Sequence, residues 1–323
     1  MRDRYPGIEP YDSGRLDVGD GHRVWWETCG APDGIPALVV HGGPGSGSGT
    51  GLRRYLDPAR YRIVLFDQRG CGRSLPFAGE PVADLSTNTT DHLLADMERL
   101  REHLGVDRWL LFGGSWGCVL GLLYAERHPD RVSGIVMMGL ATGRRAETDL
   151  LTRGVAPLFP DAWARFRDHV PEADRAGDLV EGYARLLANP DPAIHQGAAD
   201  AWCRWEDAQV PGGRQRLDDE EPEWRLAFAR LVTHYWRHES WLEPEQVLRD
   251  AGRLGGIPGM LVQGTLDLGN FIGTPWELAA AWPGATRRLV DAAHELQSKA
   301  MVDALVTATD AFAATGGFAF DPA

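Results

Sequence analysis

The sequence predicts an α/β fold in which a mostly parallel central sheet is interrupted by an inserted helical lid. Short apolar runs rich in branched residues alternate with segments of helical periodicity through the first 140 residues. No strand-like run occurs in residues 140–253, and such runs return from residue 257. We therefore predict a core formed by residues 1–139 and 254–323, with residues 140–253 as the lid.

The first predicted element is a β-hairpin. Residues 14–30 (GRLDVGDGHRVWWETCG) alternate polar and apolar side chains around Asp20 and Gly21. An Asp-Gly pair favours the tight two-residue turn that joins antiparallel strands.

Four buried strands and a helix follow the hairpin. The strands are predicted from branched apolar runs that end in Gly or Asp. They cover residues 37–43 (ALVVHGG), 61–67 (YRIVLFD), 108–114 (RWLLFGG) and 132–139 (VSGIVMMG). Residues 89–105 (TTDHLLADMERLREHLG) have apolar positions at helical spacing and end on Gly105, a residue type that commonly ends helices.

The last predicted elements complete the sheet after the lid. Residues 257–264 (IPGMLVQG) and 286–291 (TRRLVD) read as strands, and residues 295–312 (ELQSKAMVDALVTATDAF) read as a helix. The lid itself is dominated by Trp, Arg, Glu and Ala. Strands that alternate with helices in chain order are typical of a parallel sheet.

The composition excludes several classes of function. The 323 residues carry a formal net charge of −13, and 43% of them are apolar. An anionic surface argues against nucleic acid or an anionic membrane as partner. No run approaches the roughly 20 apolar residues of a membrane helix, and the first residues lack the apolar stretch of a signal peptide. We expect a cytoplasmic protein, and the sequence does not indicate an oligomeric state.

The four cysteines do not predict a metal site or a disulfide framework. They are widely scattered and form no CxxC pair. No HExxH motif or other metal-ligand spacing occurs in the chain. We expect reduced, buried thiols and no metal. The cysteines are Cys29, Cys71, Cys118 and Cys203.

Ser115 is the candidate nucleophile. It occupies the centre of a G-x-S-x-G pattern between Gly113 and Gly117, at the joint of a predicted strand and a helix-like segment. This pattern is the nucleophile elbow of α/β-hydrolases, where glycines allow a sharp turn that exposes the hydroxyl at the sheet edge. The alternative interpretation is a structural turn serine.

A serine nucleophile needs a base and a carboxylate that orients the base. In α/β-hydrolases the chain order is Ser, then Asp or Glu, then His. His294 is the histidine that follows the lid, and Asp267 comes directly after the predicted strand at 257–264. Asp291 is a competing candidate for the acid. His41 lies beside a glycine-rich loop and is interpreted as a loop-shaping residue.

The oxyanion formed during acyl transfer needs fixed backbone N–H donors. We expect one from Trp116, directly after the nucleophile, and one from Gly43 in the loop HGGPGSGSG that follows an early strand. The alternative for this loop is a phosphate-binding site, but the chain has neither GK[ST] nor GxGxxG at a helix start.

These residues and much of the surrounding sequence resemble the proline iminopeptidases, which are serine aminopeptidases of the α/β-hydrolase fold. The likeness runs nearly from end to end through YPGIEPYDSGRLDVGDGHRVWWE, HGGPG, FDQRGCGRS, GGSWG, AWCRWE, FAR, LAAAWPGA and ATDAF. The resemblance implies hydrolysis of the first peptide bond of a short peptide, a triad of Ser115, Asp267 and His294, and no metal or cofactor.

The resemblance also implies a binding site for the free amine of the substrate. Such enzymes hold the ammonium with carboxylates from the lid, and Glu206 in AWCRWE matches the first of them, with Trp205 beside it as a further substrate-binding candidate. A desolvated ammonium requires a counter-charge, which gives this role a physical reason. Without the resemblance, Glu206 would be interpreted as a solvated helix acid.

Two positions depart from the family pattern. Val232 replaces the second amine-binding glutamate, and Ala141 stands where a phenylalanine is common. Both changes predict a pocket that is larger and less charged, and hence a specificity that is not strictly for proline. Arg144 and Arg145 are interpreted either as contacts for a substrate carboxylate or as solvated residues.

Two rival functions remain at this level. The first is an amidase or esterase of the same scaffold that acts on a specialised metabolite without a free amine. The second is a ligand receptor that uses the pocket without catalysis, although a strained serine elbow has no use in a pure binding module.

Overall fold

The structure is a computed structural model that describes residues 1–80, 83–210 and 216–318. Its described residues form one sheet in the order β1-β2-β4-β3-β5-β6-β7-β8. The strands β1 and β2 and the strands β2 and β4 are antiparallel, and the other neighbours are parallel. The strands are β1 (Asp12–Gly19), β2 (His22–Gly30), β3 (Ile35–Val40), β4 (Tyr61–Phe66), β5 (Trp109–Gly114), β6 (Val132–Met138), β7 (Gly259–Gly264) and β8 (Ala285–Val290).

The predicted hairpin is confirmed. The strands β1 and β2 are joined by Asp20 and Gly21, whose φ angles are 55° and 78°. Positive φ at both central positions is the geometry of the turn that suits the twist of antiparallel strands. The six parallel-sheet strands expected from the sequence also form, with boundaries that differ by at most three residues.

Helices cover both faces of the sheet. One buried apolar cluster packs helices α1, α2, α9 and α10 against the sheet, and a second packs α11 against the opposite face. The helices are α1 (Thr90–His103), α2 (Trp116–Arg127), α3 (Arg145–Asp149), α4 (Pro160–His169), α5 (Leu179–Leu187), α6 (Pro192–Ala208), α7 (Arg216–Asp219), α8 (Pro222–Arg237), α9 (Gln246–Asp250), α10 (Thr274–Ala281) and α11 (Lys299–Thr315).

The described residues of the segment between β6 and β7 form helices joined by loops, include no strand and carry their own core. Helices α4, α5, α6 and α8 pack around aromatic side chains, among them Phe166, Tyr183 and Trp202. We call residues 140–253 the helical insertion. Residues 211–215 of this range, and residues 319–323 of the predicted core, lie outside the described residues.

The topology brings the candidate site residues to one edge of the sheet. The carboxyl ends of the parallel strands β3, β5, β7 and β8 share this edge, and ligands of open α/β sheets bind there. Gly43, Ser115, Asp267 and His294 each follow one of these strands within four residues. The helical insertion leaves the sheet from the carboxyl end of β6, so it begins at the same edge.

Candidate active site

Ser115 occupies a strained backbone position between β5 and α2. Its φ of 56° and ψ of −125° are rare for a residue with a side chain and cost on the order of 1–3 kcal/mol. Its N–H donates to the carbonyl oxygens of Met138 and Gly139, each at 3.1 Å. These bonds tie the strained turn to the end of β6 and hold the hydroxyl at the sheet edge.

The two glycines of the G-x-S-x-G pattern are required by close backbone approach. A Cβ on Gly117 would lie 2.2 Å from the carbonyl oxygen of Val40, and one on Gly113 would lie 2.8 Å from the same atom. Real Cβ atoms do not approach backbone that closely. The absence of side chains at these two positions therefore allows β3 to pack directly against the elbow.

Asp267 and His294 form a short hydrogen bond. The Nδ1–H of His294 donates to Oδ2 of Asp267 at 2.6 Å. The other oxygen of Asp267 accepts from the N–H of Gly269 at 2.9 Å, at the start of the 3-10 helix Leu268–Ile272. Asp291, the competing acid, is exposed at the end of β8. Of the two carboxylates, Asp267 is therefore the one that orients the imidazole.

The electrostatics of the pair favour a charged carboxylate and a basic imidazole. Asp267 is buried, which alone would raise its pKa, but the charge and hydrogen bond of His294 outweigh burial and hold the pKa of Asp267 below its usual range. In turn the Asp267 carboxylate raises the pKa of His294, against the opposing effect of desolvation. The proton on Nδ1 leaves Nε2 as the acceptor of the ring.

Ser115 and His294 both lie against Gly139. The imidazole packs against the Cα of Gly139, since a Cβ there would lie 2.6 Å from Cε1 of His294. The carbonyl oxygen of the same glycine accepts the N–H of Ser115. Both side chains line one cavity. Contacts between a nucleophile and its base are commonly loose before substrate binds.

The loop after β3 and the first turn of α2 border Ser115 from two sides. A Cβ on Gly42 would lie 3.3 Å from Cβ of Ser115, so the predicted oxyanion loop passes directly over the nucleophile. Gly43 follows with a φ of 115°, and Trp116 is the first residue of α2, where backbone N–H groups have no acceptor within the helix. Gly43 and Trp116 both line the cavity.

Gln68 connects these two segments, and the sequence analysis missed it. Its amide donates to the carbonyl oxygen of His41 at 2.9 Å and accepts from Nε1 of Trp116 at 2.9 Å. Its backbone N–H donates to Nε2 of His41 at 3.0 Å, and Nδ1 of that ring faces the carbonyl oxygen of Gly42 at 2.9 Å. The prediction that His41 shapes the loop agrees with these bonds.

The cavity has a volume of about 1340 Å³ and is shared by the core and the helical insertion. The early part of the insertion contributes aliphatic side chains, including Leu150, Leu151 and the predicted Ala141. Aromatic side chains come instead from Trp224, Phe228 and Trp236. All three aromatic residues lie on α8, so the pocket is not devoid of rings.

Glu206 lines the cavity at the end of α6, but it is not an unpaired acid. Its Oε1 accepts from Nε1 of Trp202 at 2.7 Å, and its Oε2 lies 3.3 Å from Nη2 of Arg216. Burial raises the pKa of Glu206, and the charge of Arg216 opposes this rise. Arg216 also lines the cavity and was not identified from the sequence.

Trp205 was predicted from the sequence to bind substrate beside Glu206, but it does not line the cavity. It is buried in the core of the helical insertion, where its Nε1 donates to the carbonyl oxygen of Leu151 at 2.9 Å and its ring stacks on Phe166. Trp205 therefore faces the core of the insertion, whereas its neighbour Glu206 faces the cavity. Val232 is also buried in that core.

The two arginines at the start of the insertion are held by carboxylates. Arg144 lies 2.6 Å from an oxygen of Glu277 and 3.1 Å from one of Glu245. Arg145 pairs with Asp149 at 2.8 Å and lies near the surface. Both arginines line the cavity, and Arg144 is the more deeply buried of the two.

Other kinds of site find little support among the described residues. All four cysteines are buried and free. No group of three or more His, Cys, Asp or Glu side chains in the described ranges could hold a metal ion. No helix in this part of the chain has both the length and the apolar character needed to cross a bilayer.

Comparison with known proteins gives extensive matches. A profile of the α/β-hydrolase fold matches residues 36–300. A probable proline iminopeptidase of Streptomyces coelicolor is 54% identical over 319 residues, which span 97% of this chain and 98% of that protein. A proline iminopeptidase of Xylella fastidiosa is 43% identical over 97% of this chain and 100% of its own length.

Solved structures share the fold at lower identity. A putative epoxide hydrolase of Pseudomonas aeruginosa superposes with a TM-score of 0.60 at 21% identity and covers 98% of both chains. A proline iminopeptidase-related protein of Thermus thermophilus superposes with a TM-score of 0.56 at 24% identity, over 95% of this chain and 98% of its own. These two likenesses concern the fold alone.

Proposed function

The chain belongs to the proline iminopeptidase family of α/β-hydrolases, and from this membership we propose that Ser115, Asp267 and His294 catalyse the release of an N-terminal residue from a short peptide or amide. As a member of this family it is a serine hydrolase of the aminopeptidase type. The observation that carries the proposed roles is the strained Ser115 elbow, which shares a cavity with the hydrogen-bonded Asp267 and His294.

In the first step His294 acts as the general base. Its Nε2 takes the proton of the Ser115 hydroxyl while Oγ attacks the carbonyl carbon of the substrate. Asp267 keeps the proton on Nδ1, so that Nε2 faces the reaction, and stabilises the imidazolium that forms. The N–H groups of Gly43 and Trp116 stabilise the oxyanion, and each such donor is worth about 3 kcal/mol of barrier.

The tetrahedral intermediate then collapses. The C–N bond breaks, His294 gives its proton to the leaving amine, and an acyl-enzyme remains on Ser115. Water attacks the acyl carbon with His294 again as base, the ester bond breaks, and the proton returns to Ser115. No atom of a metal or cofactor takes part in these steps.

Glu206 would hold the ammonium of the substrate, and residues 140–253 would close over it as a lid. A carboxylate at this place fixes which bond reaches Ser115, because the amine end of the substrate is then anchored at one distance from the nucleophile. With Val232 in the core and Ala141 in the cavity wall, we propose that the preference extends beyond proline to larger acyl groups.

A second candidate function is favoured by one observation. The ion pair of Glu206 with Arg216 leaves the cavity without an unpaired carboxylate at that position. An amidase or esterase that acts on a metabolite without a free amine would suit this charge balance. The proposed aminopeptidase and this alternative share the nucleophile and differ in the group that binds at Glu206.

A panel of aryl amides separates the two functions. Prolyl and alanyl amides with a free amine are compared with the same amides after N-acetylation, by kcat/KM. The aminopeptidase function predicts faster cleavage of the free-amine substrates. Faster cleavage of the blocked ones would replace it with the amidase function.

Cytoplasmic residence is proposed on the four free thiols, which fit a reducing compartment.

A further inference from the structure

The cavity contains an arginine that competes for the carboxylate proposed to bind the substrate. Arg216 is the first residue of α7, and Glu206 lies in the last turn of α6. Their side chains meet at 3.3 Å between Nη2 and Oε2, and both line the cavity that holds Ser115 and His294. A substrate amine that enters the cavity therefore finds Glu206 already paired.

Arg216 is anchored independently of Glu206. Its backbone N–H donates to Oδ2 of Asp207 at 2.7 Å, and its Nη1 donates to Oδ1 of the same carboxylate. The guanidinium also lies over the ring of Phe228, 4.9 Å from the centroid. The contact with Glu206, at 3.3 Å, is longer than those with Asp207. Arg216 can therefore give up this contact while Asp207 and Phe228 keep it in place.

The substitution at position 232 increases the importance of this arginine. Val232 supplies no charge, so Glu206 is the family-matched carboxylate that remains in this chain. Its charge is balanced by Arg216 in the resting cavity. An ammonium must replace Nη2 of Arg216 at Oε2, whereas a neutral acyl group has no such contact to break.

We propose that Arg216 is a specificity-determining residue that acts as the resident counter-ion of Glu206 and lowers the selectivity of the enzyme for free-amine substrates. The acyl groups favoured by this arrangement are those with a neutral or weakly basic nitrogen. This inference rests on the proposed function, because it assigns the amine-binding role to Glu206.

The pair also acts on the base of the reaction. Beside the dominant effect of Asp267, the positive charge of Arg216 lowers the pKa of His294, and the negative charge of Glu206 raises it. Removal of either partner therefore shifts the acid limb of the pH profile, and the two removals shift it in opposite directions. A purely structural role for Arg216 would not produce this signature.

The test compares Arg216→Met with the wild type on free-amine and N-acetylated alanyl aryl amides. We expect the ratio of kcat/KM values, free over blocked, to rise by about fivefold, mainly through a lower KM for the free amine. The acid limb should move to higher pH in Arg216→Met and to lower pH in Glu206→Gln. Arg216→Lys, which keeps the charge, should stay near the wild-type ratio.

Arg225→Met is the matched control. Arg225 also pairs with a carboxylate of the insertion, Asp200, at 2.8 Å, but it does not line the cavity. Its loss should leave the ratio unchanged. The inference is overturned if Arg216→Met unfolds at the wild-type temperature and its ratio is unchanged or lower. If Arg216→Met fails to fold, Arg216→Gln takes its place, and an unchanged ratio with an unshifted acid limb in that variant overturns the inference. A wild type that cleaves blocked substrates faster defeats the proposed function instead.

Discussion

The Nδ1 atom of His294 lies 2.6 Å from Oδ2 of Asp267, although the two residues come from different loops that follow neighbouring strands. The distance is that of a strong, charge-assisted hydrogen bond. It fixes the tautomer of the imidazole, which determines whether His294 can accept a proton from Ser115.

Asp267→Asn should lower kcat on the order of 10⁴-fold, because the amide stabilises the wrong tautomer of His294 and gives no charge to the imidazolium. Since the Asp267 carboxylate raises the pKa of His294, the residual activity should show an acid limb displaced to lower pH. The pH dependence of kcat/KM measures both effects. Asp291→Asn is the control. A comparable loss of kcat in that variant would contradict the assignment of Asp267 as the acid.

Ser115→Ala should abolish covalent labelling by a fluorophosphonate probe and reduce hydrolysis to the level left by the oxyanion donors and substrate binding. Labelling is read by intact-protein mass. Ser46→Ala removes a hydroxyl from the glycine-rich loop that lines the same cavity, and it should be labelled at the wild-type stoichiometry. Persistent labelling of Ser115→Ala would show that another residue is the nucleophile.

Gln68→Leu should reduce kcat about tenfold with little change in KM, because both segments proposed to form the oxyanion hole lose their shared partner. The change also leaves the carbonyl oxygen of His41 and Nε1 of Trp116 without their partner, at a cost of about 1–3 kcal/mol for each group. Steady-state kinetics and thermal unfolding separate the two effects. Gln68→Glu keeps the acceptor for Trp116 and should lose less activity; equal losses would contradict the positioning role.

Glu206→Gln should raise KM for free-amine substrates by about tenfold and leave N-acetylated substrates almost unaffected, since the ammonium loses its counter-charge. Asp200→Asn tests whether any lost carboxylate on α6 has this effect. Asp200 pairs with Arg225 and does not line the cavity, so its KM values should match those of the wild type. Equal changes of KM in Glu206→Gln for free-amine and N-acetylated substrates would mean that the substrate amine binds at another residue.

Glu126→Gln should stabilise the protein above neutral pH. Glu126 is 5% exposed on α2, and burial, helped by the nearby Asp250, raises its pKa to about 8. Between its unfolded pKa of about 4.3 and this value the folded state holds a proton that the unfolded state has lost, so the free energy of unfolding falls as pH rises. The gain in the variant should be about 1–3 kcal/mol at pH 8 and much smaller at pH 5.

Urea unfolding at the two pH values measures this gain. Glu102→Gln, at the exposed end of α1, is the matched control and should show no such pH dependence. A constant difference between Glu126→Gln and the wild type from pH 5 to pH 8 would mean that Glu126 is ionised in the folded protein.

The fold and the main candidate residues could be predicted because their signals are local. Ser115 lies within a five-residue pattern whose glycines allow the close approach of Val40. Asp267 and His294 each follow a predicted strand within four residues. Parallel strands place such residues at a common sheet edge without further information. The division at residues 140 and 253 was inferred from the loss of strand character alone and stays a prediction.

The remaining features depend on tertiary contacts that no local pattern records. Gln68 follows β4 and receives its partners from the loop after β3 and from α2. Arg216 meets Glu206 because of the way α7 returns toward the end of α6. Trp205 adjoins Glu206 in sequence, but its side chain packs on Leu151 and Phe166 in the core of the insertion, a placement that only the tertiary packing determines.

The order of the catalytic parts along the chain has a consequence for protein synthesis. Ser115 precedes the helical insertion, while Asp267 and His294 follow it. A nascent chain thus carries Ser115 before its proposed base has been synthesised. The proposed triad can assemble only after β7 and β8 have joined the sheet, so we expect a shorter nascent chain to lack hydrolytic activity.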